Sequence, residues 1–215
     1  MLRHGRAELA LHRLRDRTTG GEARPLLHLH GLGERAPETA PSLYDAWPGP
    51  VYALDFTGHG ASTVPKGGGY TCEMLMADAD AALAALGEVT VVGRGIGAYI
   101  AVLLAGGRPS MVRGAILRDG PGLVGGGITP TSPHVAFIDP AATAPPDPWA
   151  FAELTRDPRP PDYATSFVRQ AVHFSEVSEP ITVCGVGRPA WLEAVIAEPG
   201  VRVATLAEAL HSYSS

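Results

Sequence analysis

The residues whose types and spacing could do chemistry fall in a few short stretches. One is a glycine-punctuated turn, Gly93-Arg94-Gly95-Ile96-Gly97-Ala98, entered from the apolar run 89–92. It fits G-x-G-x-x-G/A, the pattern that seats a dinucleotide's pyrophosphate on a helix N-terminus, and Asp119 stands near the ~20-residue offset of a ribose-binding acid. That fingerprint ordinarily opens its sheet, whereas two motif-bearing runs precede it here, so no cofactor is expected. His28 and His30 alternate on one strand face, a spacing a metal could use, but no third ligand stands nearby and no metal is expected. Asp55-Phe56-Thr57-Gly58-His59-Gly60-Ala61-Ser62 puts a carboxylate, an imidazole and a hydroxyl in one short loop. Asp55 and His59 are expected to fix that loop, and Ser62 to serve as a cap or turn residue. Cys72 lies near a helix N-terminus, which could lower its pKa, but the sequence places no base beside it. Cys184 sits inside an apolar strand and reads as a small buried hydrophobe.

Composition narrows the classes. At 215 residues, 45% hydrophobic and 18% charged, the chain suits one mixed α/β domain and not a disordered one. Seventeen Lys+Arg against twenty-two Asp+Glu give a net charge of −5. Only one of those basic residues is a lysine, Lys66. This balance argues against a nucleic-acid partner, whose affinity would come from phosphate neutralisation. Two cysteines are too few for a disulfide framework and suit a reducing compartment. The N-terminus lacks the apolar stretch of a signal peptide. The longest apolar run, 98–105, is far short of the ~20 residues of a membrane span, so a cytoplasmic protein with no membrane partner is expected.

Periodicity supplies the elements that must position these residues. Strands are expected at 6–14, 26–30, 51–56, 89–92, 112–117, 181–184 and 201–206, with a polar turn at 16–21. Helices are expected at 71–86, 98–105, 149–154, 163–174 and 191–197. On the helix 71–86, Met74, Leu75, Ala82, Leu83 and Leu86 form the apolar stripe, with Glu73, Asp78 and Asp80 on the remaining positions. Residues 37–50 read as a loop or irregular helix and 120–148 as a long loop or lid remnant. Trp149, Phe151, Phe167 and Phe174 could line a pocket beneath it. Strands alternating with helices from residue 51 imply a largely parallel sheet, with ligands at the carboxyl ends of its strands.

Three of those strands end in informative motifs: His30-Gly31-Leu32-Gly33, then Asp55 through Ser62, then Gly93-Arg94-Gly95-Ile96-Gly97. In this order and spacing the three motifs resemble the α/β-hydrolase superfamily, which carries His-Gly, Asp-x-x-Gly-His-Gly-x-Ser and a Gly-x-Ser-x-Gly nucleophile elbow at these places. The resemblance covers most of the chain and weakens past residue 120. It implies an α/β-hydrolase fold in a single domain over 1–215. The sheet would be mostly parallel, roughly eight-stranded and flanked by helices, with a reduced lid over about 120–180. It also makes Gly95 the elbow's apex, where a nucleophile would stand, so the position is vacant. By the same resemblance the backbone N–H groups of Leu32 (or a neighbour) and Ile96 form an oxyanion hole, with Gly31 bordering the ligand. Arg94, a cation beside the apex, could pair with an anionic ligand or be a solvated or sheet-edge side chain. The base would be His211. The acid's usual place is held by the cation Arg188, leaving Asp119 as the alternative acid. Ala207-Glu208-Ala209-Leu210-His211 also reads as a helical turn, which leaves His211 open between pocket and surface.

Losing a triad serine ordinarily removes on the order of 10⁶-fold of rate. The expectation is a non-catalytic binder of a small carbonyl or carboxylate ligand or of a protein partner. Some superfamily members lack catalysis, the N-myc downstream-regulated type among them, whose elbow is similar to Gly95-Ile96-Gly97-Ala98-Tyr99. The alternative is a weak or unconventional hydrolase or lyase using His211 or Asp119 as general base over the retained hole. A dinucleotide-binding oxidoreductase is a third reading.

Overall fold

Aliphatic runs with no polar alternation belong in strands covered on both faces, and residues 26–29 and 89–93 are buried without a break. The computed structural model describes residues 1–16, 23–123, 144–155 and 159–214. The expected turn at 16–21 and the middle of the expected lid lie mostly outside these. A hairpin of β1 (Leu2–His4) and β2 (Ala7–Leu9) leads into a seven-stranded sheet. That sheet contains β3 (Leu11–Arg15), β4 (Leu26–Leu29), β5 (Val51–Leu54), β6 (Val89–Arg94), β7 (Val112–Arg118), β8 (Ile181–Val183) and β9 (Val201–Val203), in the order β3-β5-β4-β6-β7-β8-β9. Among the described strands of this sheet, only β3 runs antiparallel to its neighbour, β5.

The main sheet thus has seven strands where roughly eight were expected. The expected strand at 6–14 is cut at Ala10, whose N–H donates to Ser62 Oγ (2.9 Å) and whose carbonyl accepts from Asp55 N–H (3.0 Å). With both groups turned toward the loop after β5, the chain pivots out of the hairpin and into the sheet.

Helices α1 (Cys72–Leu86), α2 (Ile96–Gly107), α3 (Pro148–Leu154), α4 (Tyr163–Phe174), α5 (Ala190–Ile196) and α6 (Leu206–Tyr213), with a single 3-10 turn at Ser42–Tyr44 in the segment 37–50, complete the described elements. The Thr71 hydroxyl caps α1 by accepting Met74 N–H at 3.2 Å. Thr205 and Glu208 cap each other reciprocally at the start of α6. Helix α2 is apolar all round, as befits a helix enclosed by other layers; every residue from Ile96 to Gly106 is buried. Its far side meets α4, and the backbone of Phe167 lies where Gly106 has no side chain. Part of the region expected as lid therefore serves as a covering layer over α2.

Strand β4 has β5 on one side and β6 on the other. The connections leave in opposite directions there, opening a crevice beyond the carboxyl ends of β4 and β6, where open α/β sheets bind ligands. Both the His30-Gly31 turn and the glycine turn at 93–97 lie at that crevice.

A methyl group at residue 106 would meet the Phe167 backbone, and overpacking of this kind costs about 1–3 kcal/mol. Gly106→Ala is expected to lower the urea midpoint accordingly with an unchanged denaturant slope, which equilibrium unfolding measures.

Candidate active site

Strand β6 passes into α2 through a bend that has no room for side chains at its flanks. A Cβ on Gly93 would strike the Gly97 carbonyl, and one on Gly97 would strike the carbonyl of Leu29. Gly95, at the apex, has φ 55° and ψ −121°, the left-handed region that side chains avoid. Its N–H donates to the Arg118 carbonyl at 3.1 Å, tying the apex to the end of β7.

The space above the apex is filled by the chain itself. Leu32 N–H and Ile96 N–H both donate to the carbonyl oxygen of Pro121, at 3.0 and 2.9 Å. A Cβ on Gly95 would collide with that same oxygen, and one on Gly31 would stand 2.6 Å from the Pro121 ring. The Leu32 and Ile96 N–H groups thus lie side by side, and a carbonyl from the loop after β7 lies between them. A residual cavity of about 20 Å³ borders Gly95, Arg118, Asp119, Gly120 and Trp191, room for roughly one water.

The charged candidates are engaged as well. Arg94 pairs with Glu34 at 3.0 Å, and the other oxygen of Glu34 accepts Gly31 N–H at 2.9 Å, so Arg94 clamps the two glycine turns together. The Asp119 carboxylate accepts Val186 N–H (2.7 Å) and Gly187 N–H (2.8 Å). Arg188 donates to the carbonyls of Gly185 (2.5 Å) and Gly187 (2.9 Å), holding its own loop. His211 lies on α6 with an exposed side chain and is not among the residues bordering the cavity. Asp119 therefore borders the cavity beside the apex while His211 does not.

No protein-family model matches the chain, and no curated protein does. Solved structures do. The thioesterase domain from the curacin biosynthetic pathway is 16% identical with a TM-score of 0.63, over 95% of this chain and 90% of that one. An N-formylmaleamic acid deformylase variant from Pseudomonas putida S16 is 16% identical with a TM-score of 0.54, over 94% and 89%. The chain has the α/β-hydrolase fold. Some other hydrolases are matched over less than half their length; an N-acyl homoserine lactone degrading enzyme is 24% identical with a TM-score of 0.44, over 54% of this chain and 43% of that one.

Within this α/β-hydrolase fold the histidines and carboxylates around the crevice act as internal fasteners. His30 Nδ1 bonds the Gly31 carbonyl (2.8 Å) and its Nε2 accepts Phe56 N–H (3.1 Å). His59 Nε2 accepts Gly33 N–H (3.1 Å), while its Nδ1 faces the Thr57 carbonyl at 3.2 Å. Each ring, one N–H donating and one nitrogen accepting, is the neutral form, and burial pushes both imidazoles below the usual histidine range. His28 Nδ1 bonds the Tyr44 hydroxyl at 2.8 Å; burial, then the charges of Arg118 and Arg94, push it down to about 4. Asp55 accepts Ala36 N–H (2.6 Å) and Ala61 N–H (2.9 Å) and meets His12 Nε2 at 2.9 Å. Burial pushes its carboxyl up, but these bonds prevail and hold it below the usual range. Ser62 Oγ donates to the Asp55 carbonyl at 2.6 Å, the turn role expected of it.

Other residues at the site escaped the sequence reading. Asp78, placed on the polar side of α1, is fully buried; it accepts Thr57 N–H at 2.8 Å and bonds His4 Nδ1 at 2.7 Å. Its spacing from Leu75 and Ala82 puts it on the apolar stripe, so periodicity alone could have found it. Asp147, the N-cap of α3, accepts the Tyr70 hydroxyl at 2.6 Å, and nothing in the local pattern points to that pairing. Of the aromatic quartet, Phe174 is 63% exposed and Trp149 38%, while the Phe151 ring fills the space beside Gly33. They do not line one pocket. Cys72 is buried and Cys184 half-buried. Burial pushes the Cys184 thiol up to about 11. Among the described residues, no cluster of three His, Cys, Asp or Glu could hold a metal ion, and no helix is long and apolar enough to cross a membrane.

The buried neutral histidines set a pH dependence. The unfolded chain takes up their protons below ~6.5 while the folded protein resists. Their contribution is therefore complete above that pH and is lost as pH falls, for His28 down to about 4. Asp78, whose carboxyl burial pushes up, acts in the opposite sense just above the ordinary aspartate range. At ~1.4 kcal/mol per pH unit over the ~1.5 units between 6.5 and 5, His28 alone contributes ~2 kcal/mol. At ~2–4 °C per kcal/mol for this size, Tm is expected to drop by at least ~4 °C between pH 7 and pH 5, with His30 and His59 acting in the same direction. A flat Tm in calorimetry across that interval would contradict the neutral, bonded assignment.

Proposed function

We propose that this protein is a non-catalytic member of the α/β-hydrolase fold that works by binding. The observation that carries the reading is Gly95: the apex of the elbow has no side chain. Acyl transfer through a covalent intermediate needs an oxygen or sulfur there, a base in reach and an acid to orient that base. The surroundings support the same reading, with the Asp119 carboxylate taken by two backbone N–H groups and His211 exposed on α6.

Of the two classes of occupant, a protein partner is favoured over a small carbonyl or carboxylate ligand. A small ligand of that kind would have to compete with the Pro121 carbonyl for the two donors placed to receive it. Two cysteines outside any disulfide, one of them buried, suit a reducing, cytoplasmic setting. The dinucleotide reading loses its ribose acid, because Asp119 is committed to the loop after β8.

The test is turnover. The purified chain is expected to hydrolyse 4-nitrophenyl acetate and butyrate no faster than its heat-denatured form. Saturable hydrolysis that disappears in His211→Ala or Asp119→Ala would instead establish the weak-hydrolase reading. Gly95→Ser is expected to give no burst of nitrophenol and a lowered Tm, because its Cβ meets backbone at a positive φ.

A further inference from the structure

Buried backbone N–H groups are almost always bonded, and the first N–H groups of a helix have no partner within it. Ile96 opens α2 and is fully buried, and Leu32 is 2% exposed. Both N–H groups point at one acceptor, and that acceptor belongs to the chain. The stretch that carries it is held at both ends. At its start the Asp119 carboxylate is fixed by Val186 and Gly187 N–H, and at its end Leu123 N–H donates to the Leu154 carbonyl at 3.2 Å. Between them, Gly122 has φ 106° and Leu123 the positive φ of 49°. The non-glycine value is an uncommon conformation that surrounding bonds must impose. The Pro121 ring packs against Gly31, and the cavity bordered by Gly95, Gly120 and Gly122, about 20 Å³, is water-sized.

We infer that residues 119–123 are an intramolecular plug: the Pro121 carbonyl is the standing ligand of the Leu32 and Ile96 N–H groups, positioned by Asp119, and it closes the oxyanion site to outside carbonyls and carboxylates. This rests on the empty-apex reading above and deepens it: the site is not only without a nucleophile but already liganded. Asp119 is a positioning residue here, acting through the loop after β8. The plug also explains why Gly95 admits no side chain, since the oxygen that satisfies Ile96 N–H occupies the volume a Cβ would need.

The experiment uses the full chain, labelled with ¹⁵N and with ¹³C at proline carbonyls, and reads scalar couplings through hydrogen bonds. Couplings from the Pro121 carbonyl to the Leu32 and Ile96 nitrogens are expected. The exchange of those two amides should be slowed at least ~100-fold relative to an unstructured peptide. Acetate added to millimolar excess should leave both resonances unmoved. Absent couplings with unprotected amides, or acetate-dependent shifts confined to Leu32 and Ile96, would overturn the plug. In Asp119→Asn, exchange at Leu32 and Ile96 should rise ~10-fold while Val91 in β6 stays protected. Unchanged exchange at the two site amides would overturn the role given to Asp119. Ester turnover with the couplings intact would sink the non-catalytic reading and leave the plug standing, whereas missing couplings without turnover would sink the plug alone.

Discussion

A helix that begins in the interior of a protein brings donors that water cannot reach. In this fold α2 begins at the crevice beside β4, and a second buried N–H comes from the turn after β4. An enzyme can leave such a pair for its substrate, to be satisfied during the reaction. Here one carbonyl oxygen of the chain satisfies both, and the local architecture is shaped by that bond. The loop after β7 must descend onto the elbow, the apex must lack a side chain, and the residue facing the Pro121 ring must be small. Arg94, expected at the border of an anionic ligand, instead clamps Glu34 and closes the two turns upon each other.

The same inward use of polar groups recurs around the crevice. His30 joins the turn after β4 to the start of the loop after β5, and His59 returns a bond from that loop to Gly33. Asp55 gathers Ala36, Ala61 and His12, while Asp78 reaches from α1 to Thr57 and His4. Each of these groups is desolvated, and burying polar atoms without partners is costly, so the loops are held by bonds that exist only when all of them are in place. Residues that read as chemistry in a sequence are, in this molecule, the fasteners of backbone that has no regular structure of its own.

Much of the fold was legible because its determinants are local. The buried strands β4 and β6 are mostly aliphatic, broken only by His28 and Thr90 before the glycine turns; α1 announces itself by spacing and α2 by unbroken hydrophobicity, and the three turn motifs come in a diagnostic order. The cut at Ala10 was not legible, since it depends on Ser62 and Asp55 reaching across from another loop. At the site, the bare apex could be read directly, because glycine is visible as a letter. What fills the space above it could not: a main-chain carbonyl has no signature in a sequence, and Pro121 lies in a stretch without periodicity. Likewise, the sequence leaves His211 open between pocket and surface; in the structure it lies exposed on α6, the helix that the capping pair Thr205 and Glu208 starts.

The fit between Gly95 and Pro121 also makes the residue at 95 and the path of the loop after β7 interdependent. A serine at position 95 would set its Cβ against main-chain atoms of Gly120 and Pro121. The loop after β7 would have to withdraw to admit it, stranding the Leu32 and Ile96 N–H groups that the Pro121 carbonyl satisfies. A side chain at 95 and a withdrawn loop are therefore each unfavourable without the other, because the first meets main-chain atoms and the second leaves buried donors unpaired.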